Sequence, residues 1–390
     1  MPSADETAVK LITSLATVDA DDWNACANPD PVTFNPFVSH AFLRALEDSG
    51  SVGTGTGWYP RHLLIEDENG HVSAAAPAYA KAHSQGEYVF DHNWAEAYTQ
   101  AGGRYYPKLL VAVPFTPVPG PRLLVKPGAR ANSDEQLLAA AAIEVARQNG
   151  LSSVHMTFLT KETAERLQAL GFLLRTGQQF HWHNRGYGSF DDFLSTLSSR
   201  KRKAIRKERE AARAPGIEIE EVTGSAITEA HWDAMFAFYM DTGDRKWGRP
   251  YLNRAFFSEI GRTMPEHCLL IMAKRNGTYI AGALNLIGGD CLFGRYWGAI
   301  EHIPALHYEV CYYQAIDFAI RHKLPRVEAG AQGEHKLARG YLPVETYSAH
   351  WIADPAFRRA VEQALRRERD MVSRYNADLT DLGPYRKDES

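Results

Sequence analysis

The sequence predicts an α/β (α+β) protein in which one structural unit occurs twice, with mixed sheets flanked by helices. Three pairs of similar segments occur in the same order in the two halves of the 390-residue chain, and such an order indicates duplication. In each copy the segments predict a hairpin, a helix, a strand, a second helix and a final strand. The paired segments are 63–70 and 269–277, 142–155 and 315–328, and 171–182 and 340–351.

The first pair predicts a β-hairpin at the start of each copy. Residues 63–70 read LLIEDENG and residues 269–277 read LLIMAKRNG, so an apolar run leads into Asn-Gly both times. Asn-Gly between two strand-like runs is the strongest short signal for a hairpin, because both residues tolerate the positive φ that a tight turn requires.

The second and third pairs predict the remainder of each copy. Residues 142–155 read AIEVARQNGLSSVH and residues 315–328 read AIDFAIRHKLPRVE, a pattern typical of an amphipathic helix followed by a short strand. Residues 171–182 read GFLLRTGQQFHW and residues 340–351 read GYLPVETYSAHW, which share Gly, Leu, His and Trp. The first copy also carries an insertion, 81–124, that is rich in aromatic residues, glycine and proline.

A basic helix is predicted to join the two copies. Ser189 is a suitable N-cap, the two aspartates that follow Phe190 favour the positive end of the helix dipole, and Pro215-Gly216 ends the helix. A C-terminal helix is predicted from about residue 355 to about residue 375. The predicted organisation is a first domain over 1–188, a linker helix over 189–216, a second domain over 217–354, and a C-terminal helix and tail over 355–390.

Composition excludes several classes of protein. The net charge of -4 gives no overall attraction to nucleic acid or to an anionic membrane, so any such attraction must be local. The four cysteines are scattered without the spacing of metal ligands, which indicates a reducing compartment. No signal peptide and no transmembrane segment are recognisable. We therefore expect a cytoplasmic protein without a metal, and contact with a membrane surface stays open.

Five stretches that together span nearly the whole chain carry a resemblance to a known family. They are FNPFVSHAFLRALEDSGSV, GEYVFDHNWAEAYTQAGGRYYPKLLVAVPFTPVPGPRLL, SSRKRKAIRKERE, IPALHYEVCYYQAIDFAI and EAGAQGEHKLARGYLPVETYSAHWI. These stretches resemble the FemAB-like family, which is similar to the Fem-type aminoacyl transferases and to the GNAT superfamily. The resemblance implies two tandem GNAT-like acyltransferase domains joined by a basic helix. It also implies transfer of an acyl or aminoacyl group to an amine, with acyl-CoA or aminoacyl-tRNA as donor and a peptidoglycan precursor as acceptor.

Residues 330–341, GAQGEHKLARGY, contain the predicted reaction centre. Amide formation needs a group that accepts the amine proton and positive groups that face the carbonyl oxygen as it becomes anionic. Glu334 and His335 suit the first role, and Lys336 and Arg339 suit the second. Fem-type enzymes carry a functional lysine that matches Lys336, and the first copy lacks this element. The predicted catalytic residues are Lys336, His335 and Glu334, with Gln332, Arg339 and Tyr341 as substrate ligands. The alternative interpretation is a charged loop that caps a helix.

Residues 301–313, EHIPALHYEVCYY, lead into the helix of the second copy. In GNAT enzymes that use coenzyme A, a glycine-rich loop at this place donates N–H groups to a pyrophosphate. Ile303-Pro304 stands there instead, and proline donates no N–H, which disfavours coenzyme A bound in the usual manner. The resemblance to Fem-type enzymes implies aminoacyl-tRNA as the other donor. His307 and Glu309 are predicted to face the substrate. The alternative is that they cap the helix while the nearby tyrosines pack the core.

Residues 200–209, RKRKAIRKER, predict an anion-binding surface. A helix this basic favours phosphates, such as those of a tRNA acceptor stem, a nucleotide-linked sugar or an anionic lipid head group. A solvated interdomain helix is the alternative. The residues predicted to bind phosphate are Arg200, Lys201, Arg202, Lys203 and Arg206.

The insertion of the first copy is the predicted acceptor site. Tyr88, Asp91 and Trp94 suit a polar, sugar-like or peptide-like acceptor, because they combine hydrogen bonds with flat aromatic faces. Aromatic packing of a long insertion is the alternative. His181 and His183, in HWHN, are a possible metal pair, but the match of His181 with His350 favours a duplicated structural role.

The sequence therefore favours an N-acyltransferase, with three functions left open. One is acyl or aminoacyl transfer to an amine, such as a peptidoglycan precursor. Another is acyl-CoA-dependent N-acetylation of a small amine. The third is a non-catalytic module that binds cell-wall fragments or RNA. The amine is expected to attack directly, because no serine or cysteine stands in a recognisable nucleophile motif.

Overall fold

The computed structural model describes residues 8–213, 216–245, 250–330 and 333–386. The chain divides into two compact units, and neither is continuous in sequence. The first unit comprises the chain up to Pro31, Phe37–Gly177 and Thr346–Val372, and the second comprises Val32–Pro36, Gln178–Glu345 and the chain from Ser373.

The first unit contains two sheets. One has the strand order β1-β3-β4-β7; in the other, β2, β5, β6 and β8 are neighbours in that order, with β6 and β8 parallel. The elements up to the end of this unit's main segment are β1 Val9–Ile12, α1 Ala20–Ala27, α2 His40–Asp48, β2 Trp58–Pro60, β3 His62–Glu66, β4 Val72–Ala76, β5 Ala78–Lys81, α3 His92–Gln100, β6 Lys108–Val111, β7 Leu124–Val125, α4 Ala131–Gln148, β8 Ser153–Leu159, α5 Lys161–Ala169 and β9 Leu173–His183.

The second unit is built on one sheet with the order β10-β11-β12-β13-β14-β9. Only β13 and β14 are parallel in this sheet, and the other neighbours are antiparallel. The remaining elements of the chain are α6 Phe190–Ser195, α7 Ser199–Arg213, β10 Ile217–Thr223, α8 Glu229–Arg245, α9 Arg254–Thr263, β11 Cys268–Arg275, β12 Thr278–Ile287, β13 Cys291–Ala299, α10 Leu306–Tyr308, α11 Gln314–Arg321, β14 Arg326–Glu328, β15 Leu342–Ile352 and α12 Pro355–Asp381.

The predicted α/β fold, with mixed sheets flanked by helices, is confirmed. Both Asn-Gly segments lie at hairpin turns, β3 to β4 and β11 to β12. In the second hairpin Asn276 and Gly277 have φ values of 51° and 79°, as a tight two-residue turn requires. The matched helix and strand segments also occupy equivalent places, since α4 precedes β8 and α11 precedes β14.

The two units differ from the predicted consecutive domains because each is completed by a strand from elsewhere in the chain. Residues 181–183 of β9 pair with β14 and belong to the second unit, although β9 begins in the first. Residues 347–352 of β15 pair with β8 and belong to the first unit. Both strands are eleven residues long, so each can contribute to both units. The boundaries at 188 and 354 therefore do not separate the units.

The predicted linker is two helices, α6 and α7, that belong to the second unit. Ser189 caps α6, since its side chain accepts a hydrogen bond from the Asp192 N–H. The helical conformation is interrupted between α6 and α7, because a backbone hydrogen bond is made outside the helix there: the Ser198 N–H donates to the Pro384 carbonyl. The C-terminal helix α12 extends to Asp381, beyond the predicted end.

Among the described residues, no helix has the length and apolar character needed to cross a bilayer. Within the same ranges, no three His, Cys, Asp or Glu side chains are grouped as metal ligands would be. All four cysteines are free thiols, and three of them are buried.

Candidate active site

The parallel strands β13 and β14 diverge, and this divergence positions the candidate site. They pair only through Cys291–Phe293 and Arg326–Glu328, whereas β13 continues to Ala299. A register shift opposite Asn285 places an extra residue in β13 at this point. Within the described residues, the edge of β13 from 294 to 299 pairs with no strand on the β14 side. An added strand would therefore pair with β13 along this edge.

Gly294 lies where the strands part and allows close packing there. A Cβ atom at Gly294 would lie 3.4 Å from both the Asn285 Oδ1 and the Glu328 carbonyl oxygen. Asn285 is 1% exposed, and neither its Oδ1 nor its Nδ2 has a hydrogen-bond partner in the part of the chain that the structure describes. Buried amides are nearly always hydrogen-bonded, so this one suits a partner that arrives from solution.

The predicted reaction centre forms a short 3-10 helix, Glu334–Arg339, after β14. Lys336 turns inward and is 3% exposed, with its Nζ donating to the Gly330 carbonyl at 3.1 Å. Gly340 ends the helix with a φ of 92°, a conformation that glycine adopts without strain. The segment therefore fixes a buried ammonium group beside the end of β14. Gln332, a predicted substrate ligand, lies outside the described residues.

Arg339 is buried as well, but its guanidinium group already contacts other residues of the protein. Its guanidinium carbon lies 3.4 Å from the ring centroid of Tyr308, and Nη2 donates to Glu208 on α7 at 2.7 Å. Nη1 donates to the His335 carbonyl at 2.6 Å. Arg339 thus connects the 3-10 helix to α7. Its Nε has no hydrogen-bond partner among the residues described, so this N–H remains for a substrate.

Glu334 and His335 are exposed, in contrast to Lys336. The Tyr375 hydroxyl donates to Glu334, and the His335 Nε2 lies 2.9 Å from the Tyr312 hydroxyl. The His335 ring is also 6.0 Å from the His307 ring. The structure therefore brings together most of the residues predicted for this site, in a cluster rich in aromatic rings: Glu334, His335, Lys336, Arg339, His307 and Tyr341.

Glu309, a predicted substrate ligand, has a structural position instead. It is fully buried in a π-helical turn, and its carboxylate accepts hydrogen bonds from Arg209 and Arg213 of α7. Gln314 donates to the same carboxylate at 2.7 Å. Because both oxygens are occupied, Glu309 joins α7 to the start of α11 rather than facing a substrate.

The basic helix α7 has an inner and an outer face. The inner face buries Ile205 and Ala212 and supplies the arginines that bind Glu309. Arg206 pairs with Asp191 at 3.0 Å. The outer face presents Arg200, Lys203 and Lys207 at i, i+3 and i+7 spacing, all exposed. Lys201 and Arg202 are half-buried. The outer face is thus a compact cationic surface.

Glu328 and His181 were missed as active-site candidates by sequence reasoning. Glu328 is the last residue of β14 and is 4% exposed, and His181 lies opposite it on β9. Burial raises the pKa of Glu328 to about 7, although the neighbouring Arg326 opposes that shift. Burial lowers the pKa of His181 to about 3, so this imidazole is neutral at pH 7. The sequence feature that could have pointed to Glu328 is the internal repeat, which aligns Glu328 with His155.

The predicted acceptor residues of the first unit lie in a buried charged network. Asp91 accepts hydrogen bonds from Lys108 at 2.5 Å and from the Tyr105 hydroxyl at 2.6 Å. Lys108 also binds Glu87 at 2.8 Å. Burial raises the pKa of Glu87 to about 7. For Asp91, burial acts in the same direction, but the Lys108 ammonium holds the pKa of that carboxyl well below its usual range.

The other two predicted acceptor residues have different surroundings. Trp94 is 9% exposed and packs in a small hydrophobic cluster of the first unit. Tyr88 is half-buried and adopts a φ of 59°. Partial exposure makes Tyr88 the one of the three that is most accessible to a ligand. Asp91 and Trp94 match the packing interpretation of the insertion more closely.

One family model and several solved structures are similar to the chain over most of its length. The model of the FemAB-like family, described as peptidoglycan biosynthesis/recognition, matches residues 14–387. The crystal structure of FemX is similar over 91% of this chain and 100% of that one, at 13% identity and a TM-score of 0.55. The structure of L-PGS from Bacillus licheniformis covers 85% and 98%, at 11% identity and a TM-score of 0.51.

A third solved structure has the same fold. It is the C-terminal domain of a putative lysylphosphatidylglycerol synthetase from Agrobacterium fabrum, with coverage of 89% and 95%, 10% identity and a TM-score of 0.54. At these identities the structural likeness establishes the fold alone. No curated protein sequence is significantly similar to the chain.

Proposed function

The chain belongs to the FemAB-like family of acyltransferases, and we propose that it transfers an aminoacyl group from tRNA to an amine of a peptidoglycan precursor. The observation that carries this proposal is a buried ammonium group, Lys336, held by the Gly330 carbonyl just after β14, the strand whose pairing with β13 stops at Glu328. The edge of β13 and this ammonium group supply the two things that amide formation needs: an edge that can align an extended substrate, and a fixed positive charge.

The chemistry follows from these two features. The edge of β13 beyond Phe293, on the side of β14, binds an amide-bearing substrate as an added strand would be bound. The Lys336 ammonium faces the carbonyl oxygen of the donor and stabilises the negative charge that develops there when the amine attacks. Such a charge acts strongly because Lys336 is buried and cannot be screened by water.

A tRNA donor is favoured over acyl-CoA by the start of α10. Ile303 and Pro304 precede Ala305, which has a φ of 61°, and proline has no N–H to offer a pyrophosphate. The cationic outer face of α7 offers a different phosphate site, on a rigid helix of the same unit as Lys336. Such a surface fits a polyanion better than the few phosphates of coenzyme A.

The direct test is product formation. The purified protein is incubated with a UDP-linked muramoyl pentapeptide and either a mixture of charged tRNAs or a panel of acyl-CoAs, and new amides are identified by mass spectrometry. We expect an aminoacylated product with charged tRNA. An amide formed only with acyl-CoA would overturn the choice of donor. Ligand binding without any product would indicate a recognition module instead of an enzyme.

A substitution of the α7 outer face tests the tRNA part of the proposal. We expect the triple variant Arg200→Gln, Lys203→Gln, Lys207→Gln to weaken tRNA binding and to reduce the slope of log K against log salt by about 2 to 3, since three phosphate contacts are lost. Filter binding or fluorescence anisotropy at several salt concentrations measures both quantities. These side chains are exposed, so little change in thermal stability is expected.

A matched control removes three exposed charges from the first unit. The variant Lys161→Gln, Arg359→Gln, Arg367→Gln changes the net charge by the same amount. It is expected to keep the salt slope of the wild-type protein. Equal effects of the two triple variants would contradict a specific role for α7.

A further inference from the structure

We propose that Glu328 accepts the proton of the attacking amine, an assignment that rests on the proposed function. Glu328 is the last residue of β14 in the register with β13, so it stands where the pairing of these two strands stops. Its Oε2 has no hydrogen-bond partner among the described residues. The proposed place of amide-bond formation therefore has an unbonded carboxylate oxygen, Glu328 Oε2, beside it.

The surroundings of Glu328 fix the carboxyl group and leave one oxygen for chemistry. On its own strand, Arg326 Nε donates to Glu328 Oε1 at 3.2 Å, and Arg326 also binds Asp290 at 2.6 Å. On β9, His181 Nε2 lies 3.8 Å from Glu328 Oε2. On β13, the Cys291 thiol interacts with Glu328 as well. Arg326 thus orients the carboxylate through Oε1, while Oε2 stays unbonded.

A general base must be deprotonated at the working pH and must still be basic enough to accept a proton. Burial raises the pKa of Glu328 to about 7, because a desolvated carboxylate is disfavoured. Burial, the Arg326 guanidinium and the Lys336 ammonium all lower the pKa of His181, whose imidazole stays neutral beside Glu328. A carboxylate with a pKa near the working pH is suited to proton transfer, since it is both available and basic.

The step balances as follows. The amine lone pair forms the C–N bond at the donor carbonyl carbon, whose oxygen becomes anionic opposite Lys336. The N–H proton passes to Glu328 Oε2. Collapse of the tetrahedral intermediate breaks the ester bond to the tRNA ribose, and the departing oxygen keeps that electron pair. The proton on Glu328 then passes to the ribose oxygen, which restores the carboxylate and releases tRNA and amide.

The duplicated position in the first unit lacks such a free atom. His155 occupies the place of Glu328, and His350 lies opposite it as His181 does opposite Glu328. The Nδ1 atoms of His155 and His350 are 2.7 Å apart, and the other ring nitrogen of His155 lies 2.8 Å from the Ser153 Oγ. Both ring nitrogens of His155 are therefore bonded within the core. Only the copy that carries Lys336 has an unbonded acceptor here.

The two bases expected from sequence are less suited to this role. Glu334 is exposed and accepts a hydrogen bond from Tyr375, and His335 is exposed with Nε2 bonded to Tyr312. Neither group is desolvated as Glu328 is.

The test compares Glu328→Gln with Glu165→Gln, a control at an exposed glutamate of α5, in the amide-forming assay across pH 5 to 9. For Glu328→Gln we expect kcat to fall by about 100-fold or more, and the acidic limb of the kcat/KM profile near pH 7 to disappear. Glu165→Gln is expected to keep both the rate and the limb. Glu328→Asp, which retains a shorter carboxyl group, is expected to keep a limb at a reduced rate.

The outcomes separate this assignment from the proposed function. If the wild-type protein forms amide and Glu328→Gln does so with the same rate and profile, the assignment of Glu328 is overturned and the function stands. If the wild-type protein forms no amide from any donor, the proposed function fails and the assignment fails with it. If Glu328→Gln is inactive and its circular dichroism spectrum shows that it is unfolded, Glu328→Asp becomes the deciding variant. A Glu328→Asp protein with the wild-type rate and no acidic limb in its kcat/KM profile would overturn the assignment.

Thermal stability gives a readout that needs no substrate. The folded-state pKa of Glu328 lies above the ordinary value of 4.5, so the folded protein binds more protons than the unfolded chain at neutral pH. The stabilisation of the folded state by the protonated Glu328 carboxyl is fully present below about pH 4.5 and is lost as the pH rises through about 7. We expect the Tm of Glu328→Gln to fall less between pH 5 and 8 than that of the wild type. Parallel curves would contradict a raised pKa at Glu328.

Discussion

Replacement of Lys336 by methionine is expected to lower kcat for acyl transfer by about 100- to 1,000-fold, the usual cost of removing one group that stabilises an oxyanion. Methionine fills a similar volume but carries no charge, so the Gly330 carbonyl loses its partner and the donor carbonyl loses the facing ammonium. Because the interaction strengthens only as negative charge develops, KM should change much less than kcat. Steady-state kinetics with charged tRNA measure both constants.

Two further variants test whether the loss of kcat is specific to the position and to the charge of Lys336. Lys161→Met makes the same substitution at an exposed lysine and is expected to leave the kinetics unchanged. Lys336→Arg keeps the charge in a larger, planar group, and partial recovery of kcat is expected because the guanidinium must fit a buried place. A Lys336→Met protein with normal kcat and a raised KM would instead assign Lys336 to donor binding.

Local sequence patterns were sufficient for the elements of the fold but not for their assignment to units. The Asn-Gly turn before Thr278 predicts a hairpin because its determinants are adjacent in sequence. The ends of β9 and β15 look alike in sequence, and each carries a His-Trp pair. Which sheet each strand joins depends on pairing with residues far away in the chain, and no local pattern encodes that choice.

The candidate site shows the same limit. Lys336 was predicted because it stands in a distinctive glycine-bounded segment that resembles a known family. Glu309 was misjudged because its partners, Arg209 and Arg213, lie about 100 residues earlier and belong to a helix that had been assigned to phosphate binding. Glu328 gave no motif at all, since a single glutamate at the end of a three-residue strand becomes notable only once its burial is known.

Replacement of Lys108 by methionine is expected to destabilise the protein by about 3 to 5 kcal/mol at pH 7.5, the range found when one partner is removed from a buried ion pair. Lys108 is completely buried and bridges Asp91 and Glu87, whose carboxylates also lie in the core. Without the ammonium, two negative charges remain in a region of low polarity. Lys81 lies 3.9 Å from Glu87, and burial lowers its pKa to about 7, so it replaces the lost charge poorly. Denaturant unfolding followed by circular dichroism measures the effect, with Lys161→Met as the control.

The pH dependence of this loss identifies its cause. In the wild-type protein Lys108 depresses the pKa of Asp91, and the resulting stabilisation is present above the ordinary carboxyl pKa of 3.8 and lost as the pH falls below it. In Lys108→Met the same carboxyl is buried without a cation, so its pKa rises and the folded state retains a proton that the unfolded chain releases. The gap in stability between the two proteins should therefore widen from pH 4.5 to pH 8. The triple variant Lys108→Met, Asp91→Asn, Glu87→Gln, which has no charge left from this group, should recover part of the loss at pH 8. A gap that is constant with pH would show that Lys108 acts by packing and not by charge.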